Sequence, residues 1–194
     1  MTKSTKFDRE QVIDKATNLY WQKGFHGTSM RQLQDVIDMR PGSIYAAFGS
    51  KEGLFKETLA HYTQQGLLTL ERCCTTEHSI LAGLKAFVKE LIIVQAEQAP
   101  SSMCMLAKTI GELTNDNSEL LDEAKSSLKT IESAFQTQLE KAQLQGEIGL
   151  DKDCALMARH LQIQIAGLRT YSKAYDGQLP LAQMIDQIFD SPPF

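Results

Sequence analysis

The chain has 194 residues, 42% hydrophobic and 23% charged, with a formal net charge of −4. That length fits one domain or two small ones, and the composition is that of an ordinary globular protein rather than a disordered or fibrous one. No apolar run reaches membrane-spanning length and the opening MTKSTKFDRE has no apolar signal core, so the expected location is the cytoplasm, with no membrane partner.

The charge is unevenly distributed. Residues 1–56 hold nine Lys/Arg against six Asp/Glu, a balance of +3, and the remainder holds eleven against eighteen, a balance of −7. A basic end on an acidic body suggests that one end meets a polyanion. The four cysteines, at 73, 74, 104 and 154, follow no disulfide spacing, and Cys74 with His78 is too few ligands for a metal site. No cofactor is implied.

In chain order, the pattern is helical nearly throughout, with no alternating strand pattern of useful length. A short polar lead occupies 2–6. Asp8 caps a first helix to Gly24, with Gln11 placed for a capping box and Val12, Ile13, Ala16, Leu19 and Tyr20 on its buried face. Trp21 is expected to pack beneath this N-terminal unit. A second helix starts at Thr28 or Ser29 and carries Met30, Leu33, Val36 and Ile37 inward. It ends at Asp38-Met39, where aspartate tolerates a left-handed backbone. A third, very short helix runs from Pro41, a favourable first helical residue, to Gly49, with Ile44 and Phe48 inward. Ser50 caps a fourth helix reaching about Arg72. Further helices fall near 78–97, 102–113, 118–145, 152–175 and 180–190, with Gly177 and Pro180 separating the last two. The expected division is a unit of 1–55 and a body of 56–194.

A helix of about nine residues, a short turn and a helix of about eight fit a helix-turn-helix, whose second helix enters the DNA major groove. The third helix suits that role. Arg40, Pro41, Gly42, Ser43, Ala46 and Ala47 point outward, and most are small enough for close backbone approach. Arg40 can reach guanine or phosphate, Ser43 can donate or accept, and the Tyr45 hydroxyl can bond a phosphate. The N-terminus of the fourth helix, with Lys51, offers a dipole end and a charge for another. A plain helical bundle with a tight corner has the same small residues.

The run from Phe25 through Phe55 resembles the N-terminal DNA-binding domain of the TetR family of transcriptional regulators. The matching features are Gly24-Phe25, Thr28-Ser29, Leu33, Ser43-Ile44-Tyr45, Phe48, Ser50-Lys51-Glu52 and Leu54-Phe55. The remainder is similar to the family in length, helical content and an acidic stretch from Gly149 to Asp153. The resemblance implies an all-α fold, with a three-helix helix-turn-helix unit on a larger helical ligand-binding and dimerisation domain. It implies a homodimer on a palindromic double-stranded operator, usually a repressor, released by a small-molecule inducer. By position it implies Arg31, Pro41, Gly42 and Ser43 as base readers and Thr28, Ser29, Tyr45 and Lys51 as phosphate contacts. Three residues depart from the family pattern: Ala47 for a polar residue, Asp38 for the usual turn glycine, and Arg40 for a small cap.

The resemblance assigns the last two long helices to the dimer seam, and their apolar residues on more than one face are compatible with that or with a monomeric core. Met103, Cys104 and Met105 are candidates for the ligand pocket, although methionine also fills ordinary cores. Cys104, expected in the opening turn of a helix, is placed where the helix dipole would activate a thiol toward oxidants or electrophiles; buried packing is the alternative. His160 reads as a core or interface residue. An enzyme would need convergent catalytic groups, and no triad or metal motif is present. A helical adaptor that binds protein without DNA is the remaining alternative.

Overall fold

Most helix starts in this chain are marked by side chains that accept backbone N–H bonds, and the computed structural model, which describes residues 8–175 and 178–194, shows them in use. Asp8 Oδ1 accepts from Glu10 and Gln11 N–H at 3.1 and 3.3 Å and opens α1 (Arg9–Lys23). The complete capping box forms at α2 (Met30–Ile37), where Ser29 Oγ accepts from Gln32 N–H at 3.2 Å and Gln32 Oε1 accepts from Ser29 N–H at 2.9 Å. Asp38 closes α2 at φ 53 and ψ 47, the only non-glycine residue at positive φ among the described residues. Helix α3 (Pro41–Phe48) begins on its proline and ends at Gly49, φ 77. Ser50 Oγ accepts from Gly53 N–H and opens α4 (Lys51–Thr76), four residues longer than the pattern suggested.

The body continues with α5 (Ile80–Lys89), which passes into a π-helical turn over Glu90–Val94. Then come α6 (Met105–Glu112), a 3₁₀ turn at Asn115–Asn117, α7 (Ser118–Leu144), α8 (Cys154–Ala174) and α9 (Leu181–Asp190). Two expectations shift. Helix α6 starts at Met105 rather than 102, because Cys104 has an extended backbone (ψ 133) and serves as its N-cap. Val36, expected inward on α2, is 39% exposed, since Leu33 and Ile37 already occupy the inward stripe. The polar lead at 2–6 and Gly177 lie outside the described residues.

Two hydrophobic cores are stacked along the molecule. The first joins Ala16, Tyr20, Leu33, Ile37, Ile44, Phe48, Leu54 and Phe55 to Met105, Leu106, Leu113, Leu120, Leu121 and Ala124. Its wall therefore includes α6 and α7, well beyond residue 55. The second gathers Leu70, Leu84, Phe87, Phe135, Leu139, Met157, Leu161 and Ile185. Helices α4 and α7, of 26 and 27 residues, contribute to both. At 1.5 Å per residue each extends roughly 40 Å, so they fix the first core relative to the second.

Candidate nucleic-acid interface and effector cavity

Helix α3 is anchored from below. Ile44 is fully buried and Phe48 is 7% exposed. Arg9 reaches across from α1, its guanidinium 4.6 Å from the Phe48 ring centre, donating to Ala47 O at 3.3 Å and pairing with Glu57. Ala47 is half-buried by these contacts rather than outward-facing. Pro41, Gly42, Ser43, Tyr45 and Ala46 are exposed, as is the Arg40 N-cap, whose side chain makes no capping bond.

Gly42 has no internal reason to be glycine. It sits in ordinary helix, and a Cβ built on it would meet nothing within 4 Å. Glycine in a helix costs roughly 0.5–1 kcal/mol relative to alanine. What it leaves is bare backbone at the surface, the condition for close approach by another molecule. Arg31 and Ser29 are exposed at the start of α2, and neither Arg31 nor Arg40 has a carboxylate partner among the described residues.

Two residues expected at the phosphates also make bonds inside the fold. Thr28 is fully buried, and its hydroxyl donates to Gly24 O at 2.7 Å, closing the turn between α1 and α2. Its side chain cannot reach DNA. Lys51 Nζ donates to Phe25 O at 2.7 Å and lies 4.2 Å from the Phe25 ring centre, and burial holds its pKa below the usual lysine value. Ser29 is exposed, but its hydroxyl is engaged in the capping box.

Behind this unit lies a cavity of about 420 Å³, within the usual range for a small-molecule site. Trp21 from α1, Tyr62 and Gly66 from α4, Phe87 from α5, Ile131 and Phe135 from α7 and Gln162, Ala166 and Arg169 from α8 contribute to its wall. Cys104 lines it too. Met103 and Met105 do not. Met103 is 40% exposed on the protein surface, and Met105 is 1% exposed within the first core. The methionines around Cys104 are therefore surface and packing, not pocket.

Inside the cavity Tyr62 is the hub. Its hydroxyl lies 3.5 Å from Cys104 Sγ, positioned to donate, and accepts from Arg169 Nη1 at 3.2 Å. Burial, the largest cause, pushes this phenol well above its ordinary pKa, so it stays protonated at neutral pH. The Tyr62 and Trp21 rings meet edge to face at 5.0 Å, and the Arg169 guanidinium stands 5.9 Å from the Trp21 ring centre. His61 Nε2 faces Asp14 Oδ1 at 3.7 Å on another part of the wall.

Helix α6 runs from this cavity to the helix-turn-helix. Cys104, Lys108 and Glu112 are spaced four apart and fall along one face. Lys108 Nζ donates to Trp21 O and Gln22 O at 3.1 and 2.7 Å, the unpaired carbonyls at the end of α1. Glu112 accepts from Phe25 N–H at 3.1 Å and His26 N–H at 2.7 Å in the turn before α2. Trp21 Nε1 donates to Met103 O at 2.6 Å. Sequence reasoning missed Lys108, Glu112, Tyr62 and Arg169. The four-residue spacing on α6 and a single arginine in the inward-facing part of α8 were the available signals.

The comparisons fall on the same two parts. Residues 12–58 match the description "Bacterial regulatory proteins, tetR family", and residues 81–188, more than half of the chain, match "Tetracyclin repressor-like, C-terminal domain". The HTH-type transcriptional repressor ComR of Escherichia coli strain K12 is 27% identical over 163 residues, 84% of this chain and 78% of that protein. The repressor BdcR of the same strain is 31% identical over 105 residues, 54% of this chain and 53% of that protein. A cysteine mutant of the TetR family regulator CifR, complexed with a 26-bp double-strand operator DNA, has the same fold, with TM-score 0.84 and 24% identity over 97% of this chain and 98% of that one. Among the described residues no helix is long and apolar enough to cross a membrane, and no three potential metal-binding side chains converge. The chain belongs to the TetR family of transcriptional regulators, DNA-binding proteins that are not enzymes.

Proposed function

We propose that the protein is a homodimeric repressor that binds a palindromic operator through α2 and α3 and lets go when a small molecule enters the cavity. The exposed start of α3, bare at Gly42 and flanked by Arg40, Ser43 and Tyr45, carries this reading. Arg31, Pro41, Gly42 and Ser43 are assigned to the bases, and Ser29, Tyr45 and Lys51, whose ammonium keeps donors beyond its bond to Phe25 O, to the phosphates. The two units are 1–55 and 56–194, and the setting is the cytoplasm, where the operator is. An adaptor function is not favoured, because the family binds DNA.

Dimerisation through α8 and α9 is supported by an unpartnered stripe on α8. Leu156, Ile163 and Tyr171 are 54%, 67% and 58% exposed, and Gly167 between them would carry a Cβ into open space. A glycine at that place lets a second helix approach closely. Release is supported by α6, which carries Cys104 at the cavity and Lys108 and Glu112 against the helix-turn-helix. A ligand that shifts α6 would move the recognition unit, and in a dimer would change the spacing of its two α3 helices.

Operator selection from DNA upstream of the protein's own gene tests the reading, followed by titration at several salt concentrations. Phosphate-dominated binding must weaken steeply with salt; no shift at any salt concentration would return the adaptor. A second signal is favoured by the position of Cys104 against Tyr62 on the cavity wall. Its thiol would add to a quinone or an unsaturated aldehyde, a C–S bond forming as the C=C π bond opens and the proton passing to the adduct. Cys73, Cys74 and Cys154 have thiols pushed up by burial, Cys74 to about 11. A Cys104→Ser protein that still left its operator on quinone treatment would remove this second signal.

A further inference from the structure

Arg169 is 7% exposed, and its guanidinium has one recorded hydrogen bond, to the Tyr62 hydroxyl. The carboxylate on the cavity wall, Asp14, faces His61 instead, and no acid lies within ion-pair distance of Arg169 among the described residues. A buried cation without a counter-charge is costly to keep, so its retention asks for a reason. Guanidinium presents five donors in a fork that matches a carboxylate, and most of these are unspent here.

Two further polar atoms are buried and unpartnered: Gln162 Oε1 and Ser102 Oγ. Gln162 is on the wall of the large cavity, two helical turns before Arg169. Ser102 lines a smaller adjoining cavity that also holds Arg169 and Lys173. Arg169 thus stands where the two cavities meet, with cationic and hydroxyl groups on one side. Elsewhere the wall of the large cavity includes the apolar side chains of Phe87, Ile131 and Phe135. Arg169 and the Tyr62 hydroxyl form one polar point on a wall that is otherwise largely apolar. The Gln162 amide is a second polar point two turns away along α8, and a ligand that fits would have a matching division.

We propose that the cavity takes an organic anion, an apolar acid whose carboxylate binds Arg169 beside the Tyr62 hydroxyl and whose body lies between Phe87, Ile131 and Phe135. This rests on reading the cavity as the effector site and names the ligand class. The carboxylate would accept from Arg169 and Tyr62, and Gln162 would turn its amide toward any hydroxyl or amino group on the body. Tyr62 would then give up its contact with Cys104 Sγ at the start of α6, and the guanidinium would shift from the Trp21 ring at the end of α1. Both changes act on the elements that hold the helix-turn-helix.

Trp21 is the only tryptophan in the chain and lies on the cavity wall, so its fluorescence reports occupancy without DNA. The intact protein is titrated with octanoate, 4-phenylbutyrate and 3-cyclohexylpropionate, each beside its primary amide at neutral pH. At least one acid should perturb Trp21, with a Kd about tenfold or more below that of its amide, as expected of a charge-assisted pair. Arg169→Gln should abolish that preference, and Arg169→Lys should keep part of it. Equal affinity of acid and amide, a tighter amide, or no acid bound at about 1 mM would overturn the proposal, as would a folded Arg169→Gln protein that retained the preference. If Arg169→Gln does not fold, the acid–amide comparison in the unaltered protein decides. Operator release is measured separately. Acids that bind without releasing DNA leave the anion site standing and remove the effector role, whereas release by neutral compounds alone does the reverse.

Discussion

Replacing Gly42 by alanine should move stability and DNA affinity in opposite directions. The added methyl meets no atom within 4 Å, and the residue is the second of α3. No clash offsets the gain in helix propensity, which at a helix start is about 0.5 kcal/mol, the low end of the glycine–alanine difference. For a chain of this size that raises Tm by about 1–2 °C. If α3 lies with its start against base edges, the same methyl overpacks a close contact, at about 1–3 kcal/mol per recognition helix. Operator affinity should then fall about tenfold or more, since 1.4 kcal/mol is a factor of ten. Thermal unfolding and operator titration at fixed salt measure the two effects. Gly49→Ala is the control: at φ 77 alanine is strained, so that variant should lose stability. A Gly42→Ala protein with a raised Tm and unchanged operator affinity would refute close approach at this residue, and one with a lowered Tm would refute the packing argument.

Glu112→Ala leaves the Phe25 and His26 N–H groups without their acceptor and should lower stability by about 1–3 kcal/mol, read as a lower unfolding midpoint; an unaltered midpoint would mean that the contact contributes nothing. Thr28→Val removes the hydroxyl bond to Gly24 and should cost about 1 kcal/mol in thermal unfolding, while operator affinity of the folded protein stays within about twofold. A large loss of affinity at unchanged stability would return Thr28 to the DNA surface. Gly167→Leu points into open space within one chain, so the protomer should keep its fold and the dimer should weaken by about 1–3 kcal/mol through overpacking, read by light scattering across a dilution series. Full dimerisation of that variant would move the seam off this stripe.

The helices of the N-terminal unit were legible because their signals are local. Asp8 and Ser29 at the caps, Pro41 at a first helical position, and Asp38 and Gly49 at the turns each act within a few residues. The exposed start of α3 was legible for the same reason. Thr28 misled because a hydroxyl beside a cap reads alike whether it faces solvent or bends back to Gly24. The internal bond of Lys51 was out of reach because its acceptor, Phe25 O, is 26 residues away. The cavity lay further out of reach. Trp21, Tyr62, Cys104 and Arg169 come from four elements, and only their packing shows that one tyrosine touches the other three. Met103 and Met105 drew attention by residue type, whereas the groups at Arg169 are marked by the partners they lack.

The sharing of one hydrophobic core between the recognition helices and α6 and α7 bears on how such regulators diverge. A reading head exchanged between relatives at residue 55 would arrive without Met105, Leu106, Leu113, Leu120 and Leu121, which finish its interior. A chimera would have to bring those side chains or meet a matched set in its new host. New operator preference is therefore easier to acquire by changing the outward residues of α3 in place than by transplanting the head.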